Sequence, residues 1–443
     1  MSIHTAEATC PACPRFFYYG QDNKIKGQEM RIPWKERVRA DLIKRNDKYR
    51  GSGSWLNKAL PFNHALRLNI NLLEKVDFML ELFGITKRKE NYINLEILIA
   101  NLLYKRGKRP VRTSLNTTDW KITRYKKTGE STIKLINKLH EYGYIELKKG
   151  YRTEKESRIS RIWPTDKFLD YFPKYDNAVI NDPVEVVELR DDDGNLKEYK
   201  DTTRTRKIRA ILTRVNKVNQ SADINYKRYS LHAPLTAIFI RKFTLYGRLH
   251  STGYRHYQGY SSDERKKITI NNDSVVELDF SGLHPHLLYA KEEIQLDEDP
   301  YSIVDKRPVA RTFLKQILLC MLNAKDELSA ERAANYWLHK NRNQRYELNR
   351  IGITRAGPLM TEFRKVHKSI EHHFCNGSET GLRIMNLDSR IALDIIDHFA
   401  KQNITILAIH DSFIVQDKYR NELWQTMENT YEKHTNGFKC KIK

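Results

Sequence analysis

Apolar positions along this chain alternate between two spacings. NLEILIANLLYKR (94–106) carries them at the three-to-four-residue spacing of a buried helix. In GESTIKLINKLHEYGYIELKKGYRTEKESRISRIWP (129–164), Ile133, Ile136 and Leu139 share one helical face, and Gly143 is placed to end that helix. YIELKK and RISRIWP then read as two strands around the charged turn YRTEKES. Further on, VEVVELRDDDGNLKEYK (184–200) predicts a hairpin turning at Asp193-Gly194. Its consecutive acids Asp191, Asp192 and Asp193 point in different directions, as in a solvated turn rather than a metal site.

Two apolar strands carry carboxylates where the pattern asks for none. In ILAIHDSFIV (406–415), His410-Asp411-Ser412 interrupts an otherwise apolar run, which places Asp411 where two buried strands meet. An ionised carboxylate there is costly unless it is paired or coordinated. The second strand is VVELDF, within VVELDFSGLHPHLLYA (275–290), with Glu277 facing opposite to Val276 and Asp279 at its end. Two strand-end aspartates brought side by side repel unless divalent cations neutralise them. That is the donor set of two-metal phosphoryl transfer, and its oxygen ligands select two Mg²⁺ or Mn²⁺ ions over zinc. RTFLKQILLCMLNA (311–324) predicts a helix whose Arg311 and Lys315 stand four residues apart, with Leu319 and Asn323 continuing the stripe. Arginine grips phosphate bidentately, and lysine acts as a point charge or proton donor.

Charge changes the picture of what the chain meets. Lys and Arg number 78 against 55 acids over 443 residues, a formal charge of +23, so nucleic acid is the expected partner. Helix, strand, basic turn and strand at 129–164 then read as a winged helix. Its Ser131, Thr132, Lys134 and Lys138, with Arg152, Lys155 and Arg158 of the wing, are candidates to meet phosphates. Residues 1–60 are basic and weakly periodic, and RNDKYRGSGSW has linker composition. Cys10 and Cys13 form the closest cysteine pair, without the second pair that a zinc site needs. Neither a signal segment nor a run approaching the ~18 apolar residues of a membrane span occurs. A cytoplasmic protein is the expectation.

On these residues the chain resembles the palm of family A DNA polymerases and of the related single-subunit, phage-type RNA polymerases. The family's first catalytic motif, DYSQIE, is matched by DFSGLH at 279–284, and its last, HDE or HDS, by His410-Asp411-Ser412. Its R-x3-K fingers helix is matched by Arg311 and Lys315. TGRLSSxxxxLQNIP followed by a basic pair is similar to YGRLHSTGYRHYQGYSSDERKK (246–267), and SRIALDIIDHFAKQ (389–402) is similar to the helix before the last motif.

The resemblance implies an α+β chain with a right-hand palm and an N-terminal winged helix. Its divisions are a basic segment and linker over 1–60, the winged helix over 61–170, a hairpin and thumb-like connector over 171–245, and the palm over 246–443. It further implies that Asp279, Asp411 and the Phe280 carbonyl hold the metals. Arg311, Lys315, Asn323 and His284 would line the nucleotide site, and His410, Arg248 and Gln258 the primer–template. The family's Tyr-Gly is here Asn323-Ala324, and only 32 residues separate Asp279 from Arg311, which leaves the fingers reduced.

The expected activity is templated nucleotide addition from nucleoside triphosphates, in replication or priming for a phage or mobile element. A primase or untemplated terminal transferase, and an inactive winged-helix initiator or regulator, are the alternatives. Ribonucleotide and deoxyribonucleotide products both stay open.

Overall fold

The computed structural model describes residues 53–443 apart from 61, 105–107, 121–128, 153–156, 173–177, 184, 195, 228, 232–233, 252–255 and 304–306. Cys10, Cys13, Lys155 and most of the basic N-terminal segment lie outside the described residues, as does the side chain of Arg152. The architecture is mixed α+β with chiefly antiparallel sheets. Among the described residues no helix is long and apolar enough to cross a membrane.

The first core gathers around α1 (Leu73–Leu82), α2 (Lys89–Leu103) and α3 (Gly129–Glu141). Against them lies an antiparallel sheet in which β1 (Val111–Thr113) and β2 (Ile145–Lys148) flank β3 (Ser160–Pro164). A short hairpin, Tyr151–Arg152 with Ser157–Arg158, extends beyond it. The helix at 94–106 thus forms as expected, starting slightly earlier, and Gly143 closes α3 in the left-handed region at φ 71°.

The buried stripe of α3 differs from the expected one. Thr132, Leu135, Ile136 and Leu139 face the core while Ile133 is only half-buried. Thr132 is 2% exposed, and Ser131 donates to Asn91 at 2.7 Å and accepts from Asn94 at 3.2 Å. Both polar side chains therefore serve packing against α2, which corrects their assignment to the phosphate-facing surface. A β-branched hydroxyl fits a helix–helix contact when a neighbour supplies its hydrogen bond, and apolar periodicity alone does not register it. Lys134 is exposed, Lys138 pairs with Glu141 at 2.9 Å, and Arg158 donates to Asn57 at 2.8 Å.

The second core is continuous from Val186 to Tyr431. One sheet has the order β5 (Leu196–Lys197), β4 (Val187–Arg190), β8 (Leu235–Ile240), β9 (Lys242–Ser251). Here the expected hairpin turns at Gly194, φ 82°. A six-stranded sheet has the order β7 (Tyr229–Ser230), β6 (Ile224–Tyr226), β10 (Ile268–Ile270), β11 (Asp273–Asp279), β13 (Ser412–Gln416), β12 (Leu407–Ile409). Helices α4 (Thr203–Ser221), α5 (Leu283–Lys291), α6 (Pro308–Asn323), α7 (Glu327–Lys340), α8 (Gly357–Val366), α9 (Thr380–Lys401) and α10 (Arg420–His434) share that core. β9 runs across position 245, and the core shared with the following chain begins near Val186.

One backbone irregularity positions the site. Tyr246 and Gly247 are both left-handed, φ 64° and 82°, and the β8–β9 register slips beside them. The bend seats Gly247 so tightly on α9 that an added Cβ would lie 2.7 Å from Ser389 Oγ and 2.9 Å from Asn386 Nδ2. Gly247→Ala is therefore expected to cost more than about 2 kcal/mol in a urea melt, through strain plus overlap. Gly194→Ala, equally left-handed but with nothing within 4 Å of the added methyl, is expected to cost only about 1 kcal/mol.

Candidate active site

The two apolar strands that carry misplaced acids lie side by side. β11 pairs antiparallel with β13, and Asp279 stands opposite Ser412. The turn between β12 and β13 is His410-Asp411, with His410 left-handed at φ 59°, a conformation that a non-glycine residue adopts at a cost of about 1 kcal/mol. The Phe280 amide donates to the Asp411 carbonyl at 3.2 Å, so the Phe280 peptide lies against this turn. Two residues before Asp279, Glu277 is locked by Arg265 at 2.6 and 2.9 Å and accepts from Ser412 at 2.9 Å. It is thereby committed within the sheet.

Electrostatics ties the acids together. Burial, then the charges of Asp388 and Asp279, push Asp411 up to about 6. Burial also raises Asp279, against the pull of Lys443, whose Nζ is 3.2 Å from its carboxylate. The third acid, Asp388 on α9, is 2% exposed. Burial works to raise it, but the Arg248 guanidinium, 2.9 Å away, holds it below the ordinary carboxylate range, helped by His284 and His410. Arg248 leaves β9 directly after the bend at Gly247, and also contacts His284 Nε2 at 3.2 Å. Its guanidinium is thus spent on Asp388 and His284.

His410 is drawn down to about 4 by burial and then by Arg248, and its Nδ1 is buried without a hydrogen-bond partner. A neutral ring with an unsatisfied nitrogen beside three acids is costly unless a ligand completes it. His286, by contrast, is buried in α5 with Nδ1 on the Gly282 carbonyl at 2.8 Å.

The cations of α6 stand close enough to feel these acids. Lys315 is open to solvent, yet partial desolvation, followed by Arg311 and Lys443, lowers it from the ordinary lysine value against the opposing pull of Asp279 and Asp411. Arg311 makes a two-pronged contact with Asp299 at 2.8 and 3.0 Å and stacks over Tyr301.

Two expected site residues are otherwise engaged. Asn323 donates to the Leu319 carbonyl at 2.8 Å, and it packs so closely on Gly381 that a Cβ there would lie 2.4 Å from Asn323 Oδ1. It packs at the α6–α9 contact, and its buried Oδ1 has no hydrogen-bond partner among the described residues. Gln258 accepts from the Ser251 amide at 2.8 Å and donates to the carbonyls of Leu249 at 3.1 Å and Ala408 at 2.8 Å. Its amide pins β9 to β12, which corrects its assignment to the primer–template. Sequence reading missed Asp388, Asp299 and Lys443. For Asp388 a signal exists, because it sits in the stripe Ile384, Asp388, Ile391, Ile395, where a lone acid among buried apolar residues demands a partner. Asp299 and Lys443 carry no such signal.

A separate cluster joins Glu292 to His372 and His373, whose Nε2 atoms lie 3.2 and 2.9 Å from one carboxylate oxygen. Mutual hydrogen bonding satisfies it.

No family model matches the chain, and no curated protein does. Among solved structures, the chain is similar to the POL domain of Pol1 from M. smegmatis in complex with DNA primer-template and dNTP. That similarity has 13% identity and a TM-score of 0.28, and covers 54% of this chain and 50% of that one. The match spans about half the length of that protein.

Because its folded-state pKa is raised, protonation of Asp411 stabilises the fold at low pH, and that contribution is lost as pH rises from about 4 to about 6. In metal-free buffer at pH 8, Asp411→Asn is therefore expected to melt above wild type, by up to about 3 kcal/mol of stability. At pH 4 the difference should close. Equal shifts at both pH values would show that the charge is not what destabilises the turn.

Proposed function

We propose that the chain is a nucleic-acid-templated nucleotidyltransferase whose reaction centre is formed by Asp279 and Asp411. The observation that carries this reading is the register of β11 against β13, which brings two mutually repelling, half-buried carboxylates to one sheet end with Lys315 in their field. A divalent cation is the ordinary remedy for such an excess of negative charge, and hard oxygen donors select Mg²⁺ or Mn²⁺. The residues present fit that group: Asp279 and Asp411 supply carboxylates, and the Phe280 peptide lies beside them. Bound divalent ions supply neutralisation of the triphosphate and activation of an attacking 3′-hydroxyl.

The chain's own residues do the rest. Lys315, already drawn below the ordinary lysine value, binds the phosphates and is poised to give a proton to the leaving pyrophosphate. Arg311 engages phosphate once it exchanges Asp299 for the substrate. The neutral His410 ring lies beside the primer terminus, and the Arg248–Asp388–His284 cluster holds the floor of the site rigid. Most of the rate enhancement on this reading comes from positioning and preset charge.

The three helices and three-stranded sheet preceding this core suit a winged helix, and Lys134, Arg152, Lys155 and Arg158 are its proposed phosphate contacts. Together the two parts suit a small enzyme of replication or priming.

Labelled dNTPs and NTPs, supplied with Mg²⁺ and with or without primer and template, test the reading. Template-directed extension by the wild type is expected, and Asp279→Ala or Asp411→Ala should reduce it by at least about 10³-fold. Extension indifferent to template sequence would point to a terminal transferase instead. Salt-sensitive DNA binding with no incorporation at all would leave a DNA-binding regulator.

A further inference from the structure

Residues 441–443 are zipped onto the end of β11. Asp279 and Lys443 exchange both backbone hydrogen bonds at 3.0 Å, Ser281 donates to the Lys441 carbonyl at 2.8 Å, and Phe280 stands opposite Ile442. An antiparallel pair that exchanges both bonds places its side chains on one face of the sheet. Lys443 accordingly reaches across to Asp279, with Nζ 3.2 Å from Oδ2 and its side chain half exposed. The ladder fixes its backbone, while a four-carbon stem leaves the ammonium free to swing over several ångströms.

This position is contested. An ammonium resting on Asp279 occupies the carboxylate that a divalent ion needs, and the two cations cannot share it at full strength. Arg311 is held by a two-pronged contact with Asp299, whereas Lys443 rests on Asp279 through a single ammonium contact, the simpler of the two for a polyanion to displace.

Resting on the nucleotidyltransferase reading, we propose that Lys443 is a triphosphate-binding residue of the nucleotide site. It stands in for the metal on Asp279 while no ion is bound, and it transfers to the substrate's phosphates when the ion takes the carboxylate. It belongs to the same cationic wall as Lys315, contributed by a segment 128 residues further along the chain.

The two roles move two binding constants in opposite directions, which a purely structural counter-ion would not do. Mn²⁺ affinity without nucleotide, and affinity for dATP and ATP in Ca²⁺, which supports binding without turnover, are measured on the full chain. Lys443→Ala and the stem-preserving Lys443→Met are expected to bind Mn²⁺ about 3- to 10-fold more tightly and the triphosphates about 10-fold more weakly. Lys443→Arg should hold triphosphate affinity within about threefold. Unchanged triphosphate affinity in both neutral variants overturns the proposal, as does a parallel loss of both affinities accompanied by a lower melting temperature. A wild type that binds neither Mn²⁺ nor triphosphate above the Asp411→Asn background overturns the nucleotidyltransferase reading itself, and this proposal with it.

Discussion

Three carboxylates crowd one end of the six-stranded sheet, and most of what surrounds them answers that repulsion. Asp388 is neutralised by Arg248, Asp279 by Lys443, and Asp411, which has no ion-pair partner among the described residues, takes up the imbalance as a raised pKa. Burial makes each of these charges expensive, so the fold tolerates them only as a connected set. The left-handed bend at Tyr246-Gly247, the close seat of β9 on α9 and the left-handed His410 turn all aim charged groups at this point. Backbone strain of this kind collects where positions are over-determined by the surrounding packing.

The same arrangement separates residues that hold the site from residues free to change partners. Glu277 and Gln258 are satisfied by the protein itself and, with the Arg248–Asp388 ion pair, act as a frame. Arg311 and Lys443 are satisfied too, but by single acids at the rim, through contacts that a polyanionic ligand or a divalent ion can replace. A site whose mobile cations and anions are paired with each other stays folded without ligand, and it offers the same groups when ligand arrives. The cost is that every binding event first breaks an internal pair.

The sequence by itself determined the two acid-bearing strands, the helix carrying Arg311 and Lys315, the hairpin at Gly194 and the helix before the His410 turn. The strands and the Arg311 helix follow from short-range periodicity or from a charged residue set against an apolar background, the hairpin from its Asp-Gly turn, and the helix before His410 from the family resemblance. The need of Asp279 and Asp411 for partners was legible for that reason, since a carboxylate in an apolar strand needs one wherever that partner lies in the chain.

Tertiary structure alone decided which pairs form. Ser131 turned inward because Asn91 and Asn94 of α2 supplied its hydrogen bonds, and Asn323 met α9 closely because Gly381 let that helix approach. Gln258 bridged two strands by reaching an acceptor 150 residues further along the chain. Asp299 and Lys443 became part of the site only when the chain brought them there from 12 and 164 residues away from Arg311 and Asp279. Local pattern records whether a side chain is wanted inside or outside, but a charge partner is chosen by distance in space, and that distance exists only after the strands and helices have packed.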